Sequence, residues 1–397
     1  HTRQQKLITL MYLSTLLALY FEHIVGVTLL FFLGGMIWLS FQKNEPSTLS
    51  SVEKNWINIS LLYAGVMIAS FFVHLPITED GIWRLSSYAF IILMSGMFYL
   101  QTRIKVTKQM LFSVILFSVL CAFIVFAIEF FHYGLNLFLN NSIRLGQYAA
   151  IDTGGYAMFT MGTLIILPIF FAFNLSPTIK KLIVSILLLT LLFVLLGRGR
   201  TSIWYFAIVV IVFSWFSYHS MLKTISKKQV ISIVAFSLFS ILSVLTITHN
   251  RIFAAYEDIS HAIQENYDSS LGHRIIMYNI GSEIVLDHPL FGVGLSHFKE
   301  EKINHLAQHD FHLSEQAQNR VIGYTQIHNQ FLMDSIFSGF FGLISVILFI
   351  FYPLKLYINF YIDTNNKNLK IIAISGALFV GYALFTSLFG CIFTYTN

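Results

Sequence analysis

Eleven apolar runs, each about 15 residues or longer and bounded by polar breaks, follow one another along the 397-residue chain. They lie near 7–20, 24–41, 56–73, 85–100, 110–131, 149–173, 182–196, 202–219, 230–248, 329–353 and 371–393. An α-helix rises about 1.5 Å per residue, so roughly 20 such residues cross a hydrocarbon core of ~30 Å. The runs suit that length and not the ~10-residue alternating strands of an outer-membrane barrel. Only 11% of the residues are charged and 56% are hydrophobic, where soluble domains carry about 25% charge. The pattern predicts an all-α integral membrane protein of three parts: spans one to nine in 1–248, a polar segment in 249–328, and spans ten and eleven in 329–397. Cys121 and Cys391 both fall inside apolar runs, so no disulfide framework or cysteine metal site is read from them. The first run is followed by no small-residue cleavage site, so a cleavable signal peptide is not expected.

Orientation follows from the placement of Lys and Arg. With the N-terminus in the cytoplasm, 15 of the 24 basic residues face inside and 13 of those are Lys. The outside receives 9, of which 7 are Arg. Without the long segment 249–328, which the rule does not weigh, the ratio becomes 15 to 4. The net charge of +5 is therefore a topology signal, and no nucleic-acid partner is inferred from it.

The skew between the two cations is chemical. Lysines serve the inner face, whereas arginines collect where the orientation rule discourages them. The stretch LLGRGRTS, Leu195 to Ser202, sets Arg198 and Arg200 at the turn between two spans. A guanidinium binds phosphate through a planar fork and keeps its charge in a poorly solvated site. Arg144, Arg198 and Arg200 on short outer loops thus suggest an anion held at the outer surface; snorkelling of single arginines to lipid headgroups is the plainer alternative.

Residues 249–328 hold nine of the fourteen histidines. YEDISHAIQEN (256–266) and GHRIIMYNIGSEIVLDHPL (272–290) read as helices, the second with Ile275, Ile276, Asn279 and Glu283 on one stripe that could lie along the membrane surface. HPLFGVGLSHF (288–298) reads as a turn that packs Leu290 and Phe291 inward. The segment is thus a mainly helical cap, lacking the low complexity of a disordered linker. His305, His309 and His312 share a helical face by spacing, which suits a transition metal, but no recognised metal motif such as HExxH accompanies them. Structural or solvated histidines are the stronger reading, and no metal or other cofactor is expected.

His328 differs. In QIHNQFLMDSIFSGFFGL (326–343) the pair His328 and Asn329 precedes a long span, which places an imidazole at its outer lip. An imidazole has an unperturbed pKa of about 6.5, suited to proton removal near neutrality; capping or an interfacial role is the alternative. Asp334 lies six positions on, roughly 240° around a helix, and is not expected to pair with it.

Three stretches together resemble the O-antigen ligase family, whose superfamily includes O-antigen polymerases and pilin O-oligosaccharyltransferases: GRGRTS ending a span, LGHR followed by HPLFGVG, and IHNQFLMDSIFSGFFGL. Moderate length and one compact outer segment favour the lipopolysaccharide ligase within that group. The resemblance implies a GT-C-like bundle of 11–12 transmembrane helices with one large, mainly helical periplasmic loop, the twelfth span falling beyond the residues given. It implies a bacterial inner-membrane enzyme without cofactor or metal. Its glycan would come from undecaprenyl pyrophosphate and pass to lipid A–core, among membrane lipids as the remaining partners. The family's essential arginine at the end of a span matches Arg200, its loop arginine Arg274, and its histidine His328. In that reading Arg200 and Arg274 clamp the diphosphate and His328 removes the acceptor proton. Arg144, Arg198 and Asn329 are weaker substrate contacts, and Asp152 or Asp334 are possible aids to the cationic centre. A polymerase or protein glycosylase, sharing the donor, is the first alternative. A transporter is disfavoured, because all 24 Lys and Arg can be placed in loops or at span ends and no internal repeat is visible.

Overall fold

The computed structural model describes residues 5–7, 9–11, 49–102, 108–134, 153–172, 176–197, 200–221, 256–309 and 311–391. The expected spans 24–41 and 230–248, most of 7–20, and the residues Arg144, Asp152 and Arg198 lie outside them. Among the described residues the regular elements are helices, with no strand. Five of the helices in the described residues are long and apolar enough to cross a membrane, so this is an all-α, multi-pass membrane protein. The chain divides into two compact units, His1–Ser47 with Leu100–Thr248 and Leu354–Tyr382, and Thr48–Tyr99 with His249–Pro353 and Ala383–Asn397.

In the first unit, α3 (Lys108–Tyr133), α4 (Thr153–Ile166), α5 (Pro177–Gly197) and α6 (Arg200–Met221) pack together. The expected run 149–173 is not one helix. It is α4 followed by a 3₁₀ turn, Leu167–Ala172, because Pro168 has no N–H and its ring opposes a continuing α-helix. Ile115, Val119, Leu167, Phe170, Ile183 and Ile186 form one apolar core cluster. Neutral polar contacts complete it: Ser118 meets Thr163 at 2.9 Å, and Ser202 meets the Tyr382 hydroxyl at 2.6 Å.

The second unit contains α1 (Ser51–Val73), most of α2 (Glu79–Thr102), and three helices of the polar segment: α7 (Ser270–Asp287), α8 (Gly294–Gln308) and α9 (Glu315–Gly323). It also holds the first part of α10 (Gln330–Asp363) and the residues that end α11 (Lys367–Phe389). α1 starts five residues before the expected apolar run, because Ser50 and Glu53 form a reciprocal capping box that satisfies first-turn amides.

α10 corrects the expectation of a single span from residue 329. A straight helix of 34 residues would be ~51 Å long, far more than a ~30 Å hydrocarbon core. It is instead broken at Ser338 (φ −136°, ψ 17°) and Gly339 (φ 59°, ψ −143°). The turn is sharp enough to bring Gly342 against the Asp334 carbonyl, eight residues upstream, where no Cβ would fit. That leaves roughly 36 Å of helix from Phe340 to Asp363 to cross the bilayer, with Gln330–Phe337 as a separate short helix.

The break is filled by the turn between α7 and α8. Val293 N donates to Ile336 O and Phe340 N to Pro289 O, each at 2.8 Å. Gly292 (φ 67°) and Gly339 face the opposing backbone too closely for side chains. The main chain therefore packs inward and the side chains turn out: Leu290 is 57% and Phe291 61% exposed, contrary to the inward packing expected of them. The buried stripe of α7 also differs from the expected one. It runs through His273, Ile276, Met277, Ile280 and Ile284, while Asn279 is exposed; Ile327, Leu332 and Ile336 crowd Gly281 on that face.

Candidate active site

Three elements of the second unit build the site. α7 opens on an N-cap, Ser269, whose side chain accepts from Gly272 N at 3.0 Å, and its first turns carry His273, Arg274 and Tyr278. The extended stretch between α9 and α10 carries Tyr324 to Asn329. Asn329 caps α10, its side-chain oxygen accepting from Leu332 N at 3.0 Å, as capping chemistry directs. Its amide nitrogen also lies 3.5 Å from Leu388 O.

His328 sits at the bend before that cap with φ 62°, a left-handed conformation that non-glycine residues seldom hold unless their surroundings fix it. The surroundings are visible. Tyr278 donates to the His328 carbonyl at 3.2 Å. The Tyr324 ring meets the imidazole edge to face at 5.6 Å, and the Tyr324 hydroxyl lies 3.3 Å from His273 Nδ1. Burial, and next the Arg274 guanidinium, push the His328 imidazole down to about 4, so it is neutral at pH 7. His273 is also held below its usual value, by burial first and by Arg320, against an opposing Asp268. The Cys391 thiol faces the backbone amides of Ile327, His328 and Asn329.

Two buried cations in the same unit are held by backbone carbonyls. Lys302, fully buried on α8, donates to the carbonyls of Val321, Ile322 and Tyr324 at 3.0, 2.8 and 2.5 Å. Those carbonyls end α9, where a cation also meets the negative end of the helix dipole. Burial, followed by Arg84 and Lys299, lowers the ammonium to about 8, against Asp80. Arg84 donates to Leu295 O at 2.6 Å and Thr325 O at 3.3 Å, its guanidinium over the rings of Phe298 and Phe337 at 5.4 and 5.3 Å. Both cations thus fasten residues 321–325, the stretch that presents Tyr324 to His328.

Of the residues singled out in the sequence, Arg274 acts electrostatically on the His328 imidazole, and Asn329 is the next residue in the chain. Arg200 opens α6 and does not close the preceding helix. Asp334, as expected, has partners other than His328: the hydroxyls of Tyr63 and Tyr88, both at 2.7 Å, and Gln330 Nε2 at 2.9 Å. The three histidines read as one face do not share a helix. α8 ends at Gln308 with His309 as its cap, and His312 lies beyond it at φ 48°. His305 and His309 instead face carboxylates, His305 with Glu283 at 3.3 Å and Asp287 at 3.5 Å, His309 with Glu283 at 3.2 Å. Among the described residues no group of three or more His, Cys, Asp or Glu is arranged to hold a metal ion. Tyr278, Tyr324 and Lys302 were not expected. Tyr278 and Tyr324 do have a signal, each standing four positions from a residue already singled out, Arg274 and His328.

Fold and site together define a polytopic helical membrane protein in which a polar segment holds a neutral imidazole beside a guanidinium. Residues 183–347 match the family model described as O-antigen ligase. The matched residues contain all three stretches on which the resemblance was drawn. The chain is also similar to an uncharacterized protein of Haemophilus influenzae, 27% identical over 161 residues. The matched stretch spans 39% of each chain.

Proposed function

We propose that the chain is a metal-independent glycosyltransferase that moves a glycan from undecaprenyl pyrophosphate to a hydroxyl of lipid A–core, at the periplasmic face of the bacterial inner membrane. The observation that carries this reading is the neutral His328 imidazole held beside Arg274. In the proposed step the acceptor oxygen attacks the anomeric carbon from the face opposite the diphosphate. The bond from that carbon to the phosphate oxygen breaks, and its electron pair leaves on the diphosphate. The acceptor hydroxyl proton passes to His328, and the anomeric configuration inverts.

Arg274 stabilises the charge that develops on the leaving group, as fixed cations do in a water-poor site. Arg200 is assigned to the same diphosphate by the family motif, with Arg144 and Arg198 as further phosphate contacts, and Asn329 holds the base through its cap. Arg274 also explains how so weak a base would work. Its charge helps depress His328 in the free protein, and an anionic donor on that guanidinium would offset the effect. The imidazole then gains basicity only with the donor in place.

The test is transfer from a lipid-pyrophosphate glycan by purified protein with EDTA present, offering lipid A–core and undecaprenyl-linked repeat units as competing acceptors. Transfer to lipid A–core is expected to persist in EDTA, to vanish in His328→Ala, and to fall steeply in Arg274→Lys and Arg200→Lys, where a point charge replaces the fork. Preference for the lipid-linked repeat unit would make the protein a polymerase. Full activity in His328→Ala would remove the base from the scheme.

A further inference from the structure

Three of the apolar side chains that the polar segment leaves uncovered, Leu286, Leu290 and Phe291, lie within six residues at the end of α7 and the turn that follows it. Leu286 is 76% exposed, and it precedes the outward-turned Leu290 and Phe291. The Phe291 ring stacks on Phe341 at 5.7 Å, and Phe340 and Phe341 open the stretch of α10 that crosses the bilayer. Beside them His74, His288, Pro289, Leu290, Phe291 and Gly292 line an open notch of about 330 Å³. Val73 and Leu75, flanking His74, are 71% and 68% exposed.

We propose that the Leu290–Phe291 turn is inserted into the membrane, its tip and the adjoining notch filled by the acyl chains of bilayer phospholipids. Large apolar side chains exposed side by side are uncommon on water-facing surfaces. Amides that flank the tip are paired internally, as a lipid environment favours. Val293 N and Phe340 N are bonded across the α10 break, Gly292 N donates to His288 O at 3.1 Å, and Pro289 has no N–H to leave unpaired. Continuity decides the occupant. Phe340 and Phe341 belong to a membrane-crossing helix, so the chains that coat them reach Phe291 stacked on one of them. The imidazoles of His74 and His288 then mark the polar edge of the notch, at headgroup level. The polar segment is thereby moored in the bilayer at the far end of the helix whose first turns carry Arg274. None of this depends on the activity proposed above.

The full chain in phosphatidylcholine–phosphatidylglycerol vesicles, labelled with the fluorophore NBD at Phe291→Cys, tests the proposal. Gln264→Cys, at an exposed polar position, serves as the water-facing reference, and the identically treated native chain corrects for Cys121 and Cys391. The Phe291→Cys label is expected to emit to the blue of the reference and to be quenched several-fold more by acyl-brominated lipids than by aqueous iodide, with the reverse at Gln264→Cys. Leu290→Cys carries the same expectation and covers a turn disturbed by loss of the Phe291–Phe341 stack. Iodide quenching equal to the reference at both positions overturns the proposal. So does shielding from both quenchers together with Phe291→Cys cross-links between copies, which would make the face a protein interface.

Discussion

The two units bury polar groups in different ways. Among the described residues the first buries mostly hydroxyls, Ser118, Thr160, Thr163, Thr190, Ser202 and Ser375, together with Glu129. The second also buries serines, but adds Arg84, Lys302, His273, His305 and Asp334. A hydroxyl can be satisfied by its own helix, as Thr190 is by Ile186 O at 2.8 Å, and then says little about tertiary structure. A buried cation cannot be. The carbonyls that satisfy Lys302 lie 19 to 22 positions away, and those that satisfy Arg84 lie 211 and 241 away. The second unit is therefore specified by long-range polar contacts, and those contacts shape the candidate site.

Lys302→Met gives the sharpest break of this contrast. It leaves three carbonyls without their donor in a buried site, at a cost of about 3–5 kcal/mol, and frees residues 321–325. Thermal melting in detergent should show the loss, and transfer should fall with it. Lys302→Arg keeps a charged donor and should recover part of both. If Lys302→Met melts within a degree or two of the native chain, the cations do not organise the unit.

Acidification comes next. His328 lies near 4 in the folded chain and near 6.5 when unfolded. Its folded value is depressed, so between those limits the unfolded chain binds more protons and stability rises with pH. The contribution is fully present above about 6.5 and lost as pH falls toward 4, about 3 kcal/mol in all. His328→Gln should flatten the stability profile across that window. An unchanged profile would mean the imidazole is not desolvated in the folded chain.

How much of this the sequence disclosed follows the same division. Two helices of the first unit declare themselves by apolar length alone: 110–131 and 202–219 are found at Lys108–Tyr133 and Arg200–Met221. In the second unit local pattern misleads. SIFSGFFGL reads as one apolar helix, because the break at Ser338–Gly339 exists only where the turn of residues 289–293 supplies its missing partners. Leu290 and Phe291 read as core for the same reason: sequence shows that they are apolar and cannot show that lipid is the solvent. The site was half legible. Arg274 and His328 were singled out through motif and chemistry, whereas Lys302 acts through backbone carbonyls, which leave no spacing to read, and Tyr324 has only its place four positions before His328.

Asp334→Asn tests the second unit more gently. Asparagine keeps one acceptor for the two tyrosines and Gln330 but turns a donor toward the other, a loss of about 1–2 kcal/mol by ordinary hydrogen-bond energetics. Asp334→Leu, which strands all three partners, should melt well below it. Equal melting of the two variants would mean that the tyrosine hydroxyls find other partners and the network does not order α10.

The smallest effect belongs to the first unit. Thr190→Val deletes a fully buried hydroxyl while keeping its β-branched shape. The bond it removes runs to a carbonyl of the same helix, four residues back, an acceptor that its helical position already serves. No distant group is stranded, so the change should stay within about 0.5 kcal/mol. For a domain of this size that is a melting shift of about 1–2 °C, with transfer unaltered. A loss near that of Lys302→Met would show that hydroxyls of the first unit hold tertiary structure as the cations do, and the distinction between the units would fail on its quieter side.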